Sequence, residues 1–212
     1  MAVITAYIMN QPYNVFPLFS TPVLVYEIDI EEREKAFLLS QYPENTVSNK
    51  GNSTSTDNNI LKRVEVEELN KKLSLLVNEA FSFVHNPLHD VGLYITQSWL
   101  NFTNKDQYHH VHTHPNSIYS AVLYLKAGDG DSITFHNPFS KNYYDVPSTH
   151  YNHFNSTEWN LTIKENILLF FPSTLPHSVP NVVHDNLRVS LSFNTFFKGQ
   201  LGAPTDLNYL KL

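Results

Sequence analysis

The 212-residue chain contains no cysteine, which removes disulfide bridges, thiolate zinc sites, iron–sulfur clusters and a cysteine nucleophile together. Any metal must therefore sit on histidine and carboxylate. Basic residues are also scarce: 14 Lys and Arg stand against 20 Asp and Glu, a formal charge of −6. With no dense Lys/Arg run, the chain lacks the electrostatic footprint of a duplex nucleic-acid binder. No stretch reaches the roughly 18 consecutive apolar residues of a membrane span. Residues 1–20 have no basic region ahead of their apolar residues, which Asn10, Gln11 and Asn14 interrupt, so no targeting leader is expected. A cytoplasmic protein with no membrane partner is the expectation.

What is present reads as a folded protein: 42% hydrophobic and only 16% charged residues. The length suits one domain with a real core. Residues 19–28 read as an opening strand, and 30–40 as a short helix with its acidic residues early and its apolar ones late. The stretch 45–59 is almost wholly polar and reads as a surface loop, long enough to face a substrate. Over 64–84, Val66, Leu69, Leu73, Leu76, Val77, Ala80, Phe81 and Val84 recur at three- and four-residue steps, an apolar stripe for packing on a sheet.

From Gly92 the texture changes to strands, at 93–102, 118–126, 132–136, 158–163, 166–172 and 187–197, separated by turn residues. Six short strands with uneven loops suggest a sandwich or jelly roll. The expected organisation is a single domain over 1–212: an N-terminal strand and supporting helices over 1–90, a mainly β core over 91–200, and a tail over 201–212. Four Asn-x-Ser/Thr matches, at Asn52, Asn101, Asn155 and Asn160, are expected by chance in so Asn-rich a chain.

The chain has eleven histidines, and four fall within six residues: His109, His110, His112 and His114, in the stretch YHHVHTHPNS. His112 and His114 are two apart, so on an extended backbone they share a face, a natural pair of metal ligands. Downstream, an apolar strand ends in a turn bearing Pro172 and Pro176, followed by His177. Eleven residues later Arg188 opens another strand, with Ser190 two further on. An arginine among apolar strand residues is expensive to bury without an anion. A protein carboxylate would meet that need, and so would a carboxylate ligand, which the planar guanidinium fork suits.

Taken in order, Trp99-Leu100-Asn101, His112-Thr113-His114-Pro115, Tyr124-Leu125, Phe171-Pro172-Ser173, His177-Ser178-Val179 and Arg188-Val189-Ser190-Leu191-Ser192-Phe193-Asn194 carry a resemblance. The chain resembles the iron(II)/2-oxoglutarate-dependent oxygenases, and among them the 2OG-Fe(II) oxygenases of bacteria and their viruses. The opening Leu18-Phe19-Ser20-Thr21-Pro22-Val23 is similar to that family's usual start.

The resemblance implies a double-stranded β-helix, or jelly roll, backed by two or more helices. It implies an oxidoreductase, most simply a hydroxylase, that couples oxidative decarboxylation of 2-oxoglutarate to oxidation of a substrate, with Fe(II), 2-oxoglutarate and O2 as cofactor and cosubstrates. It places the metal on His112, His114 and His177, and 2-oxoglutarate on Arg188 with help from Ser190 and Tyr124. Asn101, Asn194 and His110 are further candidates for the pocket wall. If a virus encodes the chain, its expected place is the host cytoplasm.

One position departs from the wider superfamily: His114 stands where its metal triad has Asp or Glu. An all-histidine triad, a carboxylate from Asp106, Asp129 or Asp131, and a shift of register to His110 and His112 all remain open at this point. Two other functions compete. A cupin-like three-histidine dioxygenase without 2-oxoglutarate would have no need of Arg188. A non-catalytic jelly-roll binding or virion-associated module would leave His177 and Arg188-x-Ser190 without a purpose. His136, His150 and His153, around the 137–158 loop, are either substrate contacts or surface residues. Substrate choice, a small molecule or a protein side chain, belongs to such loops.

Overall fold

The computed structural model describes residues 18–139 and 146–212; the reading of residues 1–20 lies almost wholly outside them. Strand β1 (Leu24–Glu27) and helix α1 (Glu32–Leu39) lead to a hairpin of β2 (Thr46–Ser48) and β3 (Ser53–Ser55). Two 3-10 turns, Ile60–Lys62 and Val64–Val66, precede helix α2 (Glu67–His85). Then follow β4 (Val91–Thr103), β5 (His109–His112), β6 (Tyr119–Lys126), β7 (Ser132–His136), β8 (Glu158–Thr162) and β9 (Ile167–Pro172). Strands β10 (His177–Val179), β11 (Arg188–Leu201) and β12 (Leu210–Lys211) complete the order.

The larger sheet runs β1-β9-β6-β11-β4-β3-β2, with β12 folded back on the end of β11; the smaller runs β5-β10-β7-β8. From β4 onward the chain passes back and forth between the two sheets, the winding of a double-stranded β-helix. Every strand pairing is antiparallel. Strand β6 explains the layering: all of it but Lys126 is buried. Leu123 and Leu125 belong to the cluster shared with α2, and Val122 and Tyr124 to the cluster between the sheets. A strand covered on both faces reads as a continuous apolar run, because neither face needs water.

Helix α2 buries Leu69, Leu73, Val77, Ala80 and Phe81 of the anticipated stripe. Asn86, left-handed at φ 42°, closes its C-terminus by donating its N–H to the Ser82 carbonyl. At the other end Val66 offers no side-chain cap. The buried carboxylate of Glu34, on α1, accepts from the Leu69 N–H at 2.9 Å instead. A tertiary contact thus satisfies an orphan donor and favours negative charge at the positive end of the helix dipole.

Two expectations are corrected. The polar stretch 45–59 is largely the β2–β3 hairpin, which widens the larger sheet through Ser53↔Phe102 and Thr54↔Asn101. Apart from Val47 its strands are built from Ser and Thr, so no apolar alternation marks them. The hydroxyl of Ser55, though buried, is wired into the sheet, accepting from the Leu100 N–H and donating to the Asp57 carbonyl. The 201–212 stretch is not a free tail, since Leu210 and Lys211 pair with Leu201 and Gln200. Among the described residues no helix is long and apolar enough to cross a membrane.

Glu34→Ala removes the one side-chain acceptor at the start of α2. Chemical denaturation should show a loss of about 1–2 kcal/mol with unchanged denaturant slope; a loss below a few tenths would mean that the contact does not anchor α2.

Candidate active site

Strands β4 and β11 pair along almost their whole length, and this register sorts their side chains. Arg188 lies opposite Thr103, Ser190 opposite Asn101 and Ser192 opposite Trp99. Strand β6 adds Tyr124 beside Ser190 and Val122 beside Ser192. All of these line one cavity between the sheets. The intervening Val189, Leu191 and Phe193 turn the other way, into the core with α2.

The smaller sheet closes the cavity. His177 opens β10 and pairs with His112 on one side and Phe135 on the other. The next paired residues are Val179 and His109, so β5 spends one residue more than β10 over this interval. That bulge lets His109 and His112 both face the cavity, where strict alternation would separate them. His114 lies just past β5, its N–H bonded to the Ser173 carbonyl at 3.0 Å.

His112, His114 and His177 each offer a ring nitrogen within 4.8 Å of the others. The Nε2 atoms of His114 and His177 are 3.3 Å apart. Ligands about 2.0–2.1 Å from a metal and at right angles to one another stand about 3 Å apart, so the spacing suits one ion. Backbone carbonyls fix two tautomers: Nδ1 of His177 faces the Leu175 carbonyl at 3.0 Å, and Nδ1 of His112 that of His110 at 2.8 Å. With Nδ1–H so engaged, Nε2 presents its lone pair. Burial, and then the neighbouring His112, pushes His177 down to about 3 and His114 to about 4. Burial likewise lowers His112, against the opposing effect of its bond to His110.

No carboxylate joins this trio among the described residues. Asp131 is committed to the Gly128 N–H at 2.9 Å and to His184 at 3.1 Å, and Asp106 and Asp129 are exposed. A second trio, His109, His110 and His112, shares His112, but His110 is absent from the cavity wall.

Arg188 is 3% exposed. Its guanidinium donates to the Ser132 carbonyl at 3.0 Å and lies 5.1 Å over the Tyr124 ring. Among the described residues no carboxylate pairs with it. The Tyr124 hydroxyl is fully buried and donates to no acceptor; burial raises its pKa, against the opposing charge of the Arg188 guanidinium and its hydrogen bond to the hydroxyl. Asn101 donates Nδ2 to Ser192 Oγ at 2.9 Å, while its Oδ1 is unpartnered. Three imidazole donors, with a lone buried cation and a hydroxyl that lacks an acceptor deeper in the same cavity, fit a divalent transition metal and an anionic ligand.

Two expected wall residues fall elsewhere. Asn194, about 7 Å further along β11 than Ser192, is taken up by the Ser120 hydroxyl at 2.9 Å. His110 is not part of the cavity wall, though its ring packs 5.1 and 5.4 Å from those of His109 and His112. Conversely, Asn52, Thr103 and His109 line the cavity without having been anticipated; reading 45–59 as a loop hid Asn52. The sequons at Asn52 and Asn101 are 3% and 7% exposed, closed to glycosylation in the folded chain. A separate groove of about 430 Å³ lies across Phe135 and Leu175, walled by His136, His153 and Trp159. His136 meets Ser178 Oγ at 2.9 Å and His153 stacks on Trp159; His150 stands apart from it.

Residues 97–194 match the family model described as "Putative 2OG-Fe(II) oxygenase". No curated protein matches the chain. Among solved structures, an oxidoreductase of the 2OG-Fe(II) oxygenase family from Burkholderia pseudomallei aligns at TM-score 0.57 and 15% identity, over 82% of this chain and 83% of that one. A Pseudomonas putida prolyl-4-hydroxylase aligns at 0.56 and 14%, over 82% and 93%. HygX from Streptomyces hygroscopicus, with nickel, 2-oxoglutarate and hygromycin B bound, aligns at 0.54 and 12%, over 82% of each. Residues 97–194 are thus similar in sequence to the 2OG-Fe(II) oxygenases, and the chain shares the fold of solved members of that group.

Proposed function

We propose that the protein is an Fe(II)- and 2-oxoglutarate-dependent oxygenase, most simply a hydroxylase, with His112, His114 and His177 as metal ligands and Arg188 as anchor of the distal carboxylate of 2-oxoglutarate. The observation that carries this reading is the pairing, within one cavity, of three converging imidazoles with a buried arginine that lacks a protein anion. Iron(II) with 2-oxoglutarate and O2 supplies oxidative decarboxylation of the cosubstrate coupled to oxidation of the substrate.

The chain's own residues prepare that chemistry. The Leu175 and His110 carbonyls hold two imidazoles with Nε2 forward, and burial keeps the rings neutral at physiological pH. Arg188 presents a fork that matches a carboxylate, and the Tyr124 hydroxyl stands free to donate beside it. The Ser190 hydroxyl lies in the same row, between Tyr124 and Asn101. Val122, Ile133 and Val179 line the cavity with apolar surface, which limits water and strengthens each charge interaction inside. A three-histidine dioxygenase without 2-oxoglutarate leaves Arg188 buried beside nothing it can pair with. The substrate is a small molecule or a protein side chain; His136 and His153 lie in the groove beyond Phe135, where such a molecule would approach.

Anaerobic addition of 2-oxoglutarate to the iron(II)-loaded protein should produce a visible metal-to-ligand charge-transfer band. His177→Ala should abolish it through loss of iron. Arg188→Ala should keep iron and weaken 2-oxoglutarate by at least about tenfold; equal loss of both would undo the role given to Arg188.

The depressed histidine pKa values fix a pH dependence. Below the unfolded value near 6.5 the unfolded chain takes up protons that the folded site refuses, so the metal-free protein should lose stability as pH falls from about 6.5 toward about 4. Over about pH 8 to 6 few protons compete with the metal, and its affinity should change less than about threefold. A tenfold fall across that range, measured by chelator competition, would contradict neutral, buried ligands.

A further inference from the structure

We infer that Asn52, at the turn of the β2–β3 hairpin, is a ligand-contacting residue of the cosubstrate site, its carboxamide donating to the carboxylate that Arg188 holds. This rests on the oxygenase reading above. Asn52 is 3% exposed, and both its Nδ2 and its Oδ1 are buried without a hydrogen-bond partner. It lines the same cavity as Arg188, Tyr124 and the three metal-site histidines. A buried amide with both groups unpaired is rare in a folded protein, and its position on a cavity wall calls for a partner inside.

The register places it. Ser53 lies opposite Phe102, so Asn52 comes one residue later against β4, abreast of Thr103. Thr103 in turn lies opposite Arg188. Asn52, Thr103 and Arg188 therefore form a row across β3, β4 and β11 on the inner face of the sheet. A carboxylate only accepts hydrogen bonds, and the two Nδ2 hydrogens supply donors beside the guanidinium without a second charge.

The turn is also held in place. The Asn49 N–H donates to the Asn52 carbonyl at 2.8 Å, and the Tyr108 N–H to the Gly51 carbonyl at 3.0 Å. Gly51 has φ +94°, and a Cβ there would stand 2.6 Å from the Tyr108 carbonyl oxygen. Only glycine allows this approach. The hairpin is thus pinned to the residue that precedes His109, and Asn52 is aimed inward by a fixed backbone.

The test compares two ligands on wild type, Asn52→Ala and Asn52→Asp, all loaded anaerobically with iron(II). One ligand is 2-oxoglutarate; the other is 2-oxopentanoate, which keeps the 2-oxo acid but carries a methyl in place of the distal carboxylate. Binding is read from the charge-transfer band, and iron affinity separately by chelator competition. Asn52→Ala should weaken 2-oxoglutarate about 10- to 100-fold, leave 2-oxopentanoate within about twofold, and leave iron affinity unchanged. Asn52→Asp, nearly isosteric, should weaken 2-oxoglutarate further through like charge, and it keeps the test intact should the alanine variant fold poorly. Equal weakening of both ligands, or wild-type affinity in both variants, would overturn the assignment. A wild type that gives no band with either ligand would instead end the oxygenase reading on which it rests.

Discussion

The antiparallel ladder of β4 and β11 decides which side chains look into the sandwich and which look toward the helices. A slip of one residue would exchange Arg188, Ser190 and Ser192 for Val189, Leu191 and Phe193, because the side-chain period of a strand is two. The slipped arrangement would bury the arginine against the apolar face of α2 and set three large hydrophobic residues into a polar cavity. The apolar face facing α2, with Leu100, Phe102, Val189, Leu191 and Phe193 all buried, holds the register that the polar face uses. The polar cavity thus owes its geometry to hydrophobic packing on the other side of the same sheet.

Electrostatics divides the cavity into two ends. At the rim, imidazoles crowd one another and are pushed toward the neutral form, first by burial and then by each other. Deeper in, a guanidinium that cannot lose its proton sits over an aromatic ring. A ligand that is anionic at one end and chelating at the other spans these environments. The proposed His112, His114 and His177 site has no acidic side chain in it, so charge balance at an Fe²⁺ ion held there would fall to the bound ligand, since 2-oxoglutarate carries −2.

The sequence made some of this legible and hid the rest, for definite reasons. Helix α2 and strands β6, β9 and β11 announce themselves, because each is long and buries an unbroken stripe or face. His112, His114, His177 and Arg188 stand out because polar residues beside apolar strands demand partners. The strands that carry the histidines do not stand out: β5 and β10 are four and three residues long, too short to show a period. Nor does the β2–β3 hairpin, whose Ser and Thr side chains bond backbone groups where apolar ones would have packed. That camouflage concealed Asn52. The extra residue in β5 is equally invisible in a string of histidines, and it puts His109 rather than His110 on the cavity wall.

Strand β6 is buried on both faces, and this bears on how the protein can change. Any substitution at Val122 or Tyr124 disturbs the floor of the cavity and, through the same backbone, the layer of Leu123 and Leu125 beneath α2. Floor and core therefore tolerate mutation together or not at all. The exposed aromatic residues around β8, Phe154 and Trp159 among them, bear no such double duty. Sequence drift can alter the approach to the site there while the metal and cosubstrate geometry stays as it is, so new substrate preferences can arise at the edge of the smaller sheet with little loss of stability.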